Sequence, residues 1–158
     1  MSPKSLLNSK TKVLAVASGG GHWVQLRRLY GAFDGLDVVF VSLDSHYSEQ
    51  VRNHRYYTVR GVTRWDRWGF IVLAIQLVRI FLLERPTVVI TTGSAPGLMA
   101  LALAKKVFGA KTIWIDSIAN CERLSSSGAY ARRFADVWLT QWSHLQTPAG
   151  PHYWGAVL

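Results

Sequence analysis

Cysteine is almost missing from this 158-residue chain, where Cys121 stands alone. A disulfide framework is therefore excluded. The five histidines and that one cysteine show no metal-ligand spacing, and no metal is expected. Acidic residues are scarce as well. Nine Asp and Glu oppose 18 Lys and Arg, leaving a formal charge of +9. Such a balance points to an anionic partner: a phosphate ligand, a nucleic acid or an acidic membrane surface. Long apolar runs are also lacking. The longest, Trp68 to Leu83, is interrupted by Gly69, Gln76 and Arg79, and it is shorter than the roughly 20 residues that a bilayer crossing needs. Met1 to Thr11 is polar and holds none of the apolar stretch of a secretory signal. It reads as a disordered lead-in, with no signal peptide and no transmembrane helix, to one domain over residues 12–158 in the cytoplasm.

What is present is apolar and regularly spaced. Hydrophobic residues make up 49% of the chain, which excludes disorder, and the length suits a single core. Short β-branched runs at Lys12–Ala17, Asp37–Leu43, Thr87–Thr91, Lys111–Asp116 and Asp136–Thr140 read as buried strands, with weaker ones at Tyr56–Val59 and Tyr153–Leu158. Between them the spacing predicts helices over His22–Phe33, Trp65–Glu84, Gly97–Phe108 and Ala129–Phe134. Asp44–Arg55 reads as loop or short helix. Continuous apolar strands alternating with helices give an α/β, doubly wound, mainly parallel Rossmann-like sheet.

In such sheets ligands gather beyond the carboxyl ends of the strands. Three polar loops fall there: Ser18–His22, Thr91–Gly97 and Asp116–Gly128. In the first, Ser18, Gly19, Gly20 and Gly21 form a glycine loop before a helix. Its backbone can approach a phosphate, or it is a plain tight turn. It matches neither the Walker loop nor the dinucleotide fingerprint. His22 at the helix mouth can take a proton from a hydroxyl, or it can cap and orient. In the second, Thr92, Gly93 and Ser94 offer hydroxyls to a ligand, unless Ser94 caps the helix that follows. A nucleophile elbow is absent, because Thr92 stands where its first glycine would be. In the third, Asp116 is a candidate base or holds the loop's own donors, with Ser117 beside it. The segment around Trp65–Leu83 carries Arg64, Trp65, Arg67, Trp68 and Phe70 at its start, the residues expected to contact a membrane. From Arg52 to Arg85 there are seven arginines and two acids, Asp66 and Glu84. This helix either packs in the core or lies on a membrane, and one face can do each.

Taken in order, Ala17-Ser18-Gly19-Gly20-Gly21-His22, Val89-Ile90-Thr91-Thr92-Gly93, Trp114-Ile115-Asp116-Ser117, Arg123-Leu124-Ser125, Ala135-Asp136, Thr140-Gln141-Trp142 and Tyr153-Trp154-Gly155 resemble a known family. It is that of the membrane-associated, acceptor-side subunit of the split UDP-N-acetylglucosamine transferase of lipid-linked oligosaccharide synthesis, in its bacterial exopolysaccharide branch. The resemblance implies the N-terminal half of a GT-B glycosyltransferase. It implies a separate nucleotide-sugar-binding subunit as partner, a UDP-sugar donor, no bound cofactor or metal, and a lipid-linked pyrophosphate acceptor. Attachment would be peripheral, on the cytoplasmic face of an anionic membrane. His22 would sit beside the acceptor hydroxyl as base. The family usually has glutamate where Asp116 stands. The rival readings are a basic nucleic-acid module, which lacks any recognition pattern, and a stand-alone Rossmann-like enzyme. No nucleic-acid partner is expected.

Overall fold

The computed structural model describes residues 11–157. All but Thr11 of the expected lead-in, and Leu158 of the last expected strand, lie outside the described residues.

The strands are β1 Lys12–Val16, β2 Asp37–Ser42, β3 Arg55–Thr58, β4 Val88–Thr91, β5 Lys111–Ile115, β6 Val137–Thr140 and β7 His152–Tyr153. They form one seven-stranded sheet, β3-β2-β1-β4-β5-β6-β7, with every neighbouring pair parallel. The helices are α1 Gly21–Arg28, α2 Arg67–Glu84, α3 Ser94–Leu103 and α4 Ser126–Ala131. A 3-10 turn over Ser45–Val51 follows β2, and α3 runs on into a π-turn, Ala104–Phe108.

Alternate strand residues face opposite sides, so one run of β-branched residues supplies two cores. Val13, Ala15, Val38 and Phe40 pack with Trp23 and Leu26 of α1. Leu14, Val16, Val39, Val41 and Trp114 pack with Leu73, Leu77 and Phe81 of α2 and with Ala100 and Leu101 of α3. This two-sided burial makes the central strands continuously apolar, as the sequence suggests.

The Asp66 carboxylate caps α2 by accepting from Gly69 N at 2.7 Å. Pro86 follows its last turn, and Arg85 closes it in the left-handed region at φ 50°. Its inner face is core. Its outer face leaves Trp68, Ile71, Val72, Ile75, Leu82 and Leu83 exposed, with Trp65 just before it. One face of this helix is thus core, and the other is apolar and exposed. Among the described residues no helix is long and apolar enough to cross a membrane.

Several boundaries differ from expectation, among them the short helix expected over Ala129–Phe134, which runs Ser126–Ala131. The first helix ends at Arg28 and gives way to a 3-10 turn, Tyr30–Phe33. The helix expected from Gly97 begins at Ser94, and the last strand is reduced to two residues.

The chain runs from β1 outward through β2 and β3, then returns to place β4 on the other side of β1. The crevice between the carboxyl ends of β1 and β4 is therefore the topological switch point, where open α/β sheets hold ligands.

Candidate functional site

Two glycine-containing loops meet at that crevice. β1 delivers Ser18–Gly20 into α1, and β4 delivers Thr92–Gly93 into α3. His22 and Thr92 fasten one to the other. The Thr92 hydroxyl donates to the His22 carbonyl at 2.7 Å, and His22 Nδ1 lies 2.8 Å from the Thr92 carbonyl. A carbonyl only accepts, so Nδ1 carries the hydrogen and the neutral ring keeps its lone pair on Nε2. Gly93 stands against the ring at φ 128°, where a Cβ would come within 2.7 Å of His22 Cε1. Only glycine lets the imidazole lie there.

Both helix starts lack a side-chain cap. Gly20 and Gly93 are the N-cap residues, neither α1 nor α3 has an acid in its first turn, and α3 has no side-chain cap bond. By contrast α2 and α4 are capped by Asp66 and Ser125. The first N–H groups of a helix have no intrahelical partner, and the helix dipole is positive there. The crevice therefore joins two uncompensated positive ends. Ser94 adds to this: it sits at φ 76°, unusual for a residue with a side chain, and its buried Oγ has no hydrogen-bond partner.

The glycine loop is braced from the side. Gly20 N donates to the Tyr47 hydroxyl at 3.0 Å, and the Tyr47 ring stacks on Trp23 at 4.8 Å. A Cβ on Gly19 would meet the same hydroxyl at 3.3 Å. One amide expected to face phosphate thus bonds the phenol. Ser18 offers its carbonyl to Ser42 Oγ at 3.3 Å, and Gly20 and Gly21 are exposed.

Several expected ligand contacts hold the site together instead. Thr92 is fully buried and its hydroxyl is taken by His22, so it orients the ring. Gly93 N donates to Thr91 Oγ1 at 3.2 Å. Ser117 is buried, with its Oγ accepting from Gln25 Nε2 at 3.0 Å and from Ala119 N at 3.3 Å. Ser94 is the first helical residue, so it does not cap α3.

The geometry of Asp116 supports its other reading, that of holding the loop's own donors. The residue is 1% exposed. Its carboxylate accepts from Trp114 Nε1 (3.2 Å), Asn120 Nδ2 (3.2 Å), Ser125 N (3.0 Å) and Ser125 Oγ (2.6 Å). A general base needs a lone pair free for the proton it takes. Asp116 instead folds the Ser117–Ser125 loop and sets the start of α4, where a Cβ on Gly128 would overlap its carboxylate.

Two amides join this network. Gln25 lies on the buried side of α1 and accepts from Ile118 N at 3.1 Å and from Gln141 Nε2 at 2.6 Å; Gln141 also donates to the Asp116 carbonyl at 2.9 Å. Sequence reasoning passed over Gln25. Its signal is a polar residue one turn after His22, between the buried Trp23 and Leu26.

Arg64, Trp65, Arg67 and Trp68 project from the start of α2, with Trp65 86% and Trp68 78% exposed. Phe70 does not join them. It turns into a groove with Leu98 and Met99 of α3.

No protein-family model and no curated protein matches the sequence. Its likeness is to solved structures. MurG from Acinetobacter baumannii gives a TM-score of 0.69 at 13% identity, over 92% of this chain and 44% of that one. UDP-N-acetylglucosamine 2-epimerase from Rickettsia bellii gives 0.64 at 13% identity, over 85% and 40%. A glycosyltransferase from Rickettsia africae gives 0.58 at 15% identity, over 78% and 34%. The chain thus spans less than half the length of these proteins. What they share with it is the fold, an α/β Rossmann-like sheet resembling the N-terminal half of GT-B enzymes such as MurG.

Proposed function

We propose that this chain is the acceptor-side half of a two-chain glycosyltransferase that moves a sugar from a UDP-sugar to a lipid-linked pyrophosphate acceptor. The observation that carries this reading is His22: its Nδ1 is tied to the Thr92 carbonyl at 2.8 Å, which leaves Nε2 as a proton acceptor at the switch-point crevice. The acceptor hydroxyl gives its proton to Nε2 as its oxygen attacks the anomeric carbon of the donor. The bond from that carbon to the UDP oxygen breaks, and UDP leaves with the electron pair. The anomeric centre inverts.

The acceptor's diphosphate sits at the uncapped starts of α1 and α3, with the exposed Gly20 and Gly21 and the unpartnered Ser94 hydroxyl nearby. The donor half of the cleft comes from a partner subunit that binds the nucleotide sugar. In support of a cleft with two halves, the fold resembles the N-terminal half of GT-B enzymes such as MurG. The outer face of α2 rests on an anionic membrane at its cytoplasmic side. Arg64 and Arg67 flank the exposed Trp65 and Trp68, and each basic residue near such a surface contributes about 1 kcal/mol.

The test is reconstitution with the donor-side chain. The purified chain alone turns over no UDP-sugar, the pair does, and His22→Ala lowers the pair's turnover by about 10²–10⁴-fold. A loss below about tenfold with intact folding removes His22 from proton transfer. Turnover of a UDP-sugar by the chain alone favours the stand-alone enzyme instead. The membrane contact is read by flotation with anionic vesicles, which a Trp65→Ala/Trp68→Ala variant should lose.

A further inference from the structure

A groove of about 760 Å³ opens between the start of α2, α3 and α4. Its walls are Phe70 from α2, Leu98, Met99 and Ala102 from α3, and Tyr130 and Phe134 from the α4 region. Leu98, Met99 and Phe134 back onto the main core with part of their surface and show the rest to the groove. We propose that this groove holds the first hydrocarbon units of the lipid diphosphate, an inference that rests on the switch-point crevice being the seat of the diphosphate.

Three observations favour a hydrocarbon occupant. The first is continuity. The lining includes Ala95, which directly follows Ser94 with its strained backbone and unpartnered hydroxyl. It also includes Arg64, next in sequence to the exposed Trp65. The groove therefore borders both the segment read as holding the charged head and the segment read as meeting lipid. The second is chemistry. The lining is aliphatic and aromatic, with Ser126 and Ser127 at one edge, so a sugar or nucleobase placed there would leave its polar groups unpaired. Met99 is an unbranched, adaptable side chain suited to a flexible chain of methyl and methylene groups. The third is charge. Arg64 in the lining suits an anionic lipid, whereas a second copy of this chain would bring another +9 and no free acid on the α2 face to answer it.

The groove also accounts for the care with which α4 is placed. Asp116 holds Ser125 through both its N–H and its Oγ, and Ser125 caps α4, which carries Tyr130. The Asp116 carboxylate thus shapes the wall of the lipid subsite.

The probes are inorganic diphosphate, farnesyl diphosphate and farnesol, titrated calorimetrically into the full chain. Farnesyl diphosphate should bind at least about tenfold more tightly than inorganic diphosphate, since burying even two or three methylenes is enough for that factor. Met99→Trp, which fills the groove, should erase the difference and leave inorganic diphosphate binding unchanged. Ala102→Leu is the milder variant if the first does not fold, and it should reduce the difference. Trp65→Ala/Trp68→Ala should lose vesicle flotation yet keep the preference for the farnesyl compound. Equal binding of the two diphosphates overturns the groove proposal and leaves the crevice reading standing. So does an unchanged farnesyl preference in both groove-filling variants. Binding of farnesol with no binding of either diphosphate supports the groove and overturns the crevice reading on which it was placed.

Discussion

Glu84 and Asp116 are both buried carboxylates, one at each end of the sheet, and they are held by opposite means. Glu84, at the amino end, meets Arg55 NH1 at 3.1 Å, Lys12 Nζ at 3.4 Å and the Tyr57 hydroxyl at 2.6 Å. Asp37 joins the same group through Arg55 and Lys12. Each anion has its cation, and the cluster ties the end of α2 to β1, β2 and β3. Asp116, at the carboxyl end, accepts from an indole, an amide, a hydroxyl and a backbone N–H, all of them neutral. Among the described residues, no Lys or Arg bonds the His22–Thr92 pair or the network of Gln25, Ser117, Asp116 and Gln141. On the function proposed above, the difference follows from what each end has to do. A fixed cation at the ligand end would be spent on an internal carboxylate. Neutral donors order the loops and leave attraction for an anion to the uncapped starts of α1 and α3.

The largest effect is expected from Asp116→Ala. It leaves four buried or half-buried donors without an acceptor and should cost on the order of 3 kcal/mol, read as a fall in the urea midpoint. Salt should scarcely alter that cost, because no charge pair is lost. Glu84→Gln is the matching change at the other end and should cost roughly 1–2 kcal/mol, since Lys12 and Arg55 are partly exposed and regain water. Its cost should shrink with added salt as surface charges are screened. Equal salt responses in the two variants would erase the contrast between an ionic end and a neutral one.

Gly93→Ala comes next. It places a methyl on the His22 ring and forces φ 128° on a residue with a side chain, costing about 1–3 kcal/mol of strain. Because the ring must move, the reconstituted pair should lose turnover well beyond what the stability change explains. A variant with full turnover would show that the position of His22 matters little.

The sheet and its layers were legible because central strands buried on both faces carry unbroken apolar runs, as at Val13–Val16 and Val38–Val41. The crevice was legible for the same reason, since ligand loops follow from strand order. Roles inside it were less so. Thr92 and Ser117 read as ligand hydroxyls because sequence shows that a hydroxyl is present, not which carbonyl or amide partner lies 70 or 92 residues away. Tyr47 was hidden likewise: it reaches Gly20 from a 3-10 turn 27 residues on. Pro96 and the glycines around it suggested a turn, yet proline is tolerated in a first helical turn, where its missing N–H would have no partner. Phe70 was placed with the membrane face because α2 is apolar on both sides, so periodicity cannot separate inner from outer.

The smallest expected effect belongs to the amino end, at Asp136, and is visible only against pH. Its carboxylate bonds Lys105 Nζ, Thr112 N at 3.0 Å and Thr112 Oγ1 at 3.0 Å. The hydrogen bond from Lys105, helped by Thr112, holds the carboxyl below its ordinary range. The folded state therefore binds this proton less readily than the unfolded chain does. The stabilisation is complete above the unfolded value, about pH 4, and fades as pH falls through the lower folded value. Asp136→Asn should accordingly cost on the order of 1 kcal/mol near neutrality, a figure kept small by partial exposure. The gap from the parent should be constant down to about pH 5, then narrow toward pH 3. Asp116→Ala removes a cage of neutral donors as well as a charge, and it should remain strongly destabilising at neutral pH in any salt. A gap for Asp136→Asn that widened on acidification would mean that its carboxyl is stabilised in the protonated form, and the ionic description of this end would fail.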